Sequence, residues 1–191
     1  IVGGYAVATS PPVFRFIRWL SGIPRTPRTA VTFVAFFSMA TSLVSWGFSL
    51  IFSAILVREI VRQVKGIDYR AIGAAAYLGT GSIWALGLSS SAALMMATPS
   101  AIPAGLLKIS GVIPLNQTIY TWQSLATAAI LMMASLVVAY LSTPPVSTHT
   151  AELYGAVNTD AAVPATEERH HTPAEWLEYS PVLAVAISAL G

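Results

Sequence analysis

The sequence predicts an all-α integral membrane protein, and three observations carry that reading. Of its 191 residues, 55% are hydrophobic and only 9% are charged, against about 25% charged in soluble domains, and mean hydropathy is +0.69. Residues 29–57 and 71–107 are free of charge, and 118–141 form a third apolar run. Eight of the ten cations fall between Arg15 and Arg70, while six of the eight acids lie beyond residue 150. That asymmetry is membrane topology rather than a nucleic-acid footprint. With no cysteine in the chain, disulfides, thiolate catalysis and cysteine metal sites are excluded, and the redox compartment stays undetermined.

Taken in order, 1–9 reads as the end of a span leading to Pro11-Pro12, and no signal peptide is judged from it. Residues 12–20 alternate Phe14, Phe16, Ile17, Trp19 and Leu20 with Arg15 and Arg18, the composition of a helix lying in the headgroup plane. The run 29–57 has four cations upstream (Arg15, Arg18, Arg25, Arg28) and four downstream (Arg58, Arg62, Lys65, Arg70), whereas a single span should show an imbalance. A straight helix of that length would reach about 43 Å, but two arms of about 11 residues would each reach the midplane of a roughly 30 Å core. The expectation is therefore a re-entrant hairpin with its tip in Thr41-Ser42-Leu43-Val44-Ser45-Trp46-Gly47. A long tilted helix using Ser and Gly for packing is the competing reading.

Residues 58–66 continue the second arm out of the membrane, with Glu59 one helical turn from Arg62 and Gly66 as a stop. Residues 71–97 read as a broken helix interrupted at Gly87-Leu88-Ser89-Ser90-Ser91, where three hydroxyls replace lost backbone bonds and present oxygens to a ligand. Alternatively, the same serines bond back into their own helix. Thr98-Pro99 and Ile102-Pro103 end it, a loop follows on the outer side, and 118–141 is a plain span with Tyr120 and Trp122 at one interface and Tyr140 at the other. Residues 142–180 form a polar cytoplasmic linker, and 181–191 are the start of a truncated span. Residues 1–141 thus constitute a partial transmembrane domain, and the chain reads as an internal piece of a larger one.

Other motifs carry less. Ile1-Val2-Gly3-Gly4 matches the mature start of trypsin-like proteases, but nothing after Gly4 supports that fold. Gly87-Leu88-Ser89-Ser90 resembles the nucleophile element of intramembrane serine hydrolases, yet the histidines, His149, His170 and His171, all lie in the linker, so a base within reach of Ser89 is missing. His170-His171 beside Glu167 and Glu168 suits solvation better than a metal site. Trp46, in the middle of its run, is placed to wall off a substrate.

Ala8-Thr9-Ser10-Pro11-Pro12, Pro24-Arg25-Thr26-Pro27-Arg28, Trp46-Gly47-Phe48, Arg58-Glu59, Gly87-Leu88-Ser89, Ala97-Thr98-Pro99 and Thr172-Pro173-Ala174-Glu175, in this order, resemble the bacterial short-chain fatty acid transporter family, the acetoacetate and butyrate permeases. The resemblance implies one half of an inverted-repeat secondary transporter in the bacterial cytoplasmic membrane, moving short-chain carboxylates. It implies a substrate site formed by Ser42, Ser45, Trp46 and Gly47 of the hairpin facing Gly87, Ser89, Ser90 and Ser91 of the break. It also implies Asn where Ser45 stands and Gly where Ser90 stands, departures that bear on substrate preference. The partners expected are the carboxylate, the bilayer and the second half of the same chain, with a homodimer left open and no nucleic acid. No cofactor is expected. Because no Asp, Glu or His occurs between Asp68 and His149, coupling to sodium through hydroxyl and carbonyl oxygens is expected ahead of coupling to protons. A transporter of dicarboxylates and, from another class, an intramembrane serine hydrolase are the alternatives.

Overall fold

The computed structural model describes residues 10–144 and 149–150, all within the unit Ile1–Asn158. The expectations for 1–9, for most of the linker and for 181–191 lie outside the described residues. Those described are helical, with only an isolated antiparallel bridge between Asp68 and Thr150. This is an all-α membrane protein: Pro27–Val44, Tyr69–Ala97 and Trp122–Ser142 are each long and apolar enough to cross a bilayer.

Helix α1, Pro11–Ser21, starts on two prolines, which belong in a first turn because their missing N–H groups need no partner there. Its Ile17 and Leu20 are buried, while Phe16 and Trp19 stack on the exposed side with ring centroids 6.0 Å apart. Gln63 Nε2 ties the helix down by donating to Ser21 Oγ at 2.6 Å.

Helices α2, Pro27–Val44, and α3, Trp46–Gln63, form a helical hairpin with one residue, Ser45, between them. The fold-back follows from two cross-arm contacts: Ser49 Oγ donates to Ser38 O at 2.7 Å, and the Phe37 and Phe52 rings lie 6.3 Å apart. The turn is tighter and the arms longer than the sequence suggested. Thr41 Oγ1 donates to Phe37 O at 2.6 Å within α2, so the hydroxyls of the polar stretch feed the helix instead of ending it. Only Ser45 leaves helical geometry, with φ −155° and ψ 115°, and its side chain accepts from Phe48 N to start α3. From the charged flanks to Ser45, the uncharged parts of the two arms measure about 24 Å and 18 Å along their axes, past the middle of a roughly 30 Å core.

Helix α4, Tyr69–Leu78, is capped by Asp68, whose carboxylate accepts from Ala71 N at 2.9 Å. It passes into a widened π turn, Gly79–Ile83, and a 3-10 turn, Trp84–Leu86, before the chain breaks. After the break come two short helices, α5, Ser91–Ala97, and α6, Ala104–Ser110. Helix α7, Trp122–Ser142, begins four residues later than the apolar run because Thr121 caps it, accepting from Ser124 N. Further on, Tyr69 N donates to His149 O at 2.9 Å, which pins this part of the linker to the foot of α4.

Helix α2 is central and packs against α3, α4, the π turn and α7, while α1 packs on α3. The core is apolar where the arms meet, with Val34, Met39, Phe52 and Leu56 fully buried or nearly so. Ser38 bonds to Ala76 and Gly79, and Leu43 meets Gly87, so α2 and α4 run alongside each other in the same direction. Arg28 Nε donates to Thr143 O at 3.2 Å, which brings the end of α7 to the start of α2. The starts of α2 and α4 and the ends of α3 and α7 therefore share one side, together with Arg25, Arg28, Arg58, Arg62, Lys65 and Arg70. The balance of cations around the hairpin is thereby explained, since both flanks emerge on the same, cation-rich face.

Candidate functional site: the serine junction of hairpin and broken helix

Two close backbone approaches hold the hairpin against the broken helix. At the deeper one, a Cβ built on Gly87 would lie 2.6 Å from Leu43 Cα and 2.8 Å from Leu43 C, closer than packed atoms come. Gly87 itself has φ −123° and ψ −165°, extended geometry open to any residue, so glycine is required there for space. Nearer the cation-rich face, a Cβ on Gly79 would lie 2.6 Å from Ser38 C and 2.8 Å from Ser42 Cβ.

The deeper approach joins the two predicted halves of the site. Trp46 N–H, the first of α3, donates to Ser89 Oγ at 2.7 Å, so a serine from the break caps a helix of the hairpin. Ser45 Oγ accepts from Phe48 N at 3.3 Å, and Ser90 Oγ accepts from Ala93 N to cap α5. All three hydroxyls are used as acceptors and keep their protons, so each can still donate to an anion. Ser89 and Ser90 are buried at 9% and 6% exposure, whereas Val44, Trp46 and Leu88, at 64%, 40% and 41%, stand open beside them. Ser91 is exposed as the first residue of α5, and Gly47 is buried behind Trp46. Oriented O–H donors next to apolar side chains suit a small anion with a hydrocarbon tail. The first turn of α3 adds positive potential, because an 18-residue helix presents about half a charge at its start.

Ser42 is not part of this arrangement. It lies fully buried one turn earlier, next to Gly79 rather than next to the break. Its neighbourhood is a second polar cluster, centred on Ser38. Ser38 Oγ donates to Ala76 O at 2.7 Å and accepts from Gly79 N at 3.0 Å, and Ser38 O accepts from Ser49. Among the described residues three buried hydroxyl oxygens, Ser42 Oγ, Ser53 Oγ and Thr80 Oγ1, have no hydrogen-bond partner. Buried polar atoms are ordinarily paired, and each exception calls for a reason. Ser38, Ser49, Gly79 and Thr80 were not among the expected site residues. The signal that could have found them is the spacing of Ser38, Ser42, Ser45, Ser49 and Ser53, which puts hydroxyls at four-residue intervals along each arm.

The hydrolase alternative finds no support in this geometry. Among the described residues no base lies against Ser89, and His149 sits at the foot of α4 on the cation-rich side.

The chain matches the sequence family described as Short chain fatty acid transporter over residues 1–191. It is 29% identical over its whole length to a Haemophilus influenzae protein named "Putative short-chain fatty acid transporter", covering 43% of that relative. It is 31% identical, again over its whole length, to an Escherichia coli protein of the same name, covering 42% of it. The chain thus spans less than half the length of these curated relatives. No solved structure gives a significant match.

Proposed function

This chain belongs to the short-chain fatty acid transporter family, and on that premise we propose that the full-length protein carries short-chain carboxylates such as acetoacetate and butyrate across the bacterial cytoplasmic membrane, coupled to sodium. The family is one of transporters, not of enzymes. The observation that supports the site most strongly is the 2.7 Å bond from Trp46 N–H to Ser89 Oγ, because it couples a helix start on the hairpin to a hydroxyl on the break. In this reading α2 and α3 are a re-entrant hairpin, and the chain supplies one repeat of an inverted pair. The carboxylate takes the O–H protons of Ser45, Ser89 and Ser90 near the start of α3, and the alkyl chain lies along Trp46, Leu88 and Val44. With hydroxyls and a helix dipole in place of a buried arginine, the anion is held loosely enough to leave again. Helix α5 has seven residues and adds little dipole, so the start of α3 carries most of this electrostatic pull.

For the coupling ion, the unpartnered Ser42 and Thr80 hydroxyls beside the π turn are the groups we assign. An oxygen with no hydrogen-bond donor nearby is well placed to meet a cation, and the absence of Asp, Glu and His between Asp68 and His149 leaves protons no carboxylate or imidazole in this stretch. The test is uptake of labelled butyrate and acetoacetate by the full-length parent in vesicles, with and without a sodium gradient, beside Ser42→Ala. That variant is expected to raise the half-saturating sodium concentration about tenfold, the equivalent of roughly 1.4 kcal/mol. Without sodium it should be as stable as the parent or more so, since an unsatisfied buried hydroxyl costs about 1–3 kcal/mol. Uptake indifferent to sodium but collapsing with the proton gradient would sink the coupling assignment.

A further inference from the structure

At the cation-rich end of the bundle, remote from the serine junction, the start of α2 and the end of α7 enclose a groove of about 290 Å³ lined by Thr26, Pro27, Arg28, Tyr140 and Pro144. We propose that this groove binds the phosphodiester headgroup of an anionic phospholipid, with Arg28 as its principal ligand. The guanidinium is held from two directions. Its Nε donates to Thr143 O at 3.2 Å, and its Cζ lies over the Tyr140 ring, 5.9 Å from the centroid.

Both holds leave the two Nη groups, with their four N–H donors, for an anion, and a planar fork of that kind matches two oxygens of one phosphate. Among the described residues no acid lines the groove. The acids among the described residues are engaged elsewhere, Glu59 with Arg62 at 3.0 Å and Asp68 at the start of α4. A half-buried, oriented cation, uncompensated by any described acid, is therefore the chemical character of the groove. Its depth selects the source of the phosphate. Helix α7 runs from Trp122 to Ser142, about 31 Å at 1.5 Å per residue, so Tyr140 and Arg28 fall at the inner boundary of the hydrocarbon core, where headgroup phosphates lie. Tyr140 is 44% exposed, so it can meet lipid on one side and the arginine on the other. The proposal does not depend on which carboxylate the protein carries.

The experiment uses the full-length parent in bilayers doped with a photoactivatable phosphatidylglycerol, with a phosphatidylcholine analogue as control and inorganic phosphate as the soluble competitor. Cross-linking of phosphatidylglycerol near Tyr140 is expected to exceed that of phosphatidylcholine and to resist inorganic phosphate. It should fall about tenfold in Arg28→Gln and stay at the parent level in Arg25→Gln, an exposed arginine outside the groove. Should Arg28→Gln fail to insert, Arg28→Lys replaces it, keeping the charge while losing the fork, and reduced labelling is again expected. Equal losses in the Arg25 and Arg28 variants would overturn the site in favour of diffuse surface attraction. Displacement by inorganic phosphate would overturn the lipid assignment, and absent labelling in the parent would mean that another part of the protein fills the groove.

Discussion

Gly87→Ala is expected to reduce butyrate uptake by the full-length parent on the order of a hundredfold, the scale of effect produced when binding groups are displaced by about 1 Å. A Cβ at this position meets the Leu43 backbone, which is in the last turn of α2 and has no side-chain freedom with which to yield. The methyl group must push the break away from the hairpin, and the first thing lost is the bond from Trp46 N–H to Ser89 Oγ. Because Gly87 is extended rather than left-handed, the substitution adds no torsional strain of its own. Quantifying membrane-inserted protein beside initial uptake rates separates a displaced site from a failure to assemble. Uptake at the parent level would mean that the close approach of tip and break is not needed for transport.

Gly79→Ala should act on the fold itself. Its Cβ would press on the Ser38 backbone and the Ser42 side chain at the point where α4 widens into the π turn. Overpacking against a rigid neighbour costs about 1–3 kcal/mol. Losing the bond from Gly79 N to Ser38 Oγ would leave a buried N–H unpaired, at about 1–3 kcal/mol more. Denaturant titration of the purified full-length variant is expected to show a midpoint well below the parent's. An unchanged midpoint would show that α2 and α4 can separate by the width of a methyl group without penalty. The contrast between the two glycines is informative, since Gly87→Ala should chiefly affect transport and Gly79→Ala chiefly stability.

The turn and the break could be read from the sequence because their causes are local. Uncharged runs bounded by cations mark out the apolar segments, and Ser-Trp-Gly and Gly-Leu-Ser-Ser-Ser are strings that favour caps and interruptions over continuous helix. Where the helices stop depends on which hydroxyls bond inside their own helix. Thr41 does so and extends α2, whereas Ser45 caps the following helix and ends it. Composition does not distinguish these two uses of a hydroxyl, so the hairpin arms came out longer than their sequence estimate.

The second cluster was harder to foresee, since Ser38 and Ala76 are far apart in the chain and meet only because α2 and α4 run in parallel. The same reasoning applies to Gly79, which as an isolated glycine in an apolar helix gives no sign that a backbone lies against it. Ser42 was assigned to the tip by its position in the polar stretch, but the helical rotation of α2 turns it toward Gly79.

The most direct test of the central claim, that the hairpin tip and the break line one carboxylate site, is substrate protection of thiols placed on either side. The chain contains no cysteine, and Val44 and Leu88 are exposed residues that cap nothing. Val44→Cys and Leu88→Cys, made separately in a cysteine-free full-length parent, would be labelled with a small thiol reagent across a butyrate titration. The account predicts that butyrate protects both cysteines, with the same half-protecting concentration. Protection of neither cysteine, or of one alone, would contradict it.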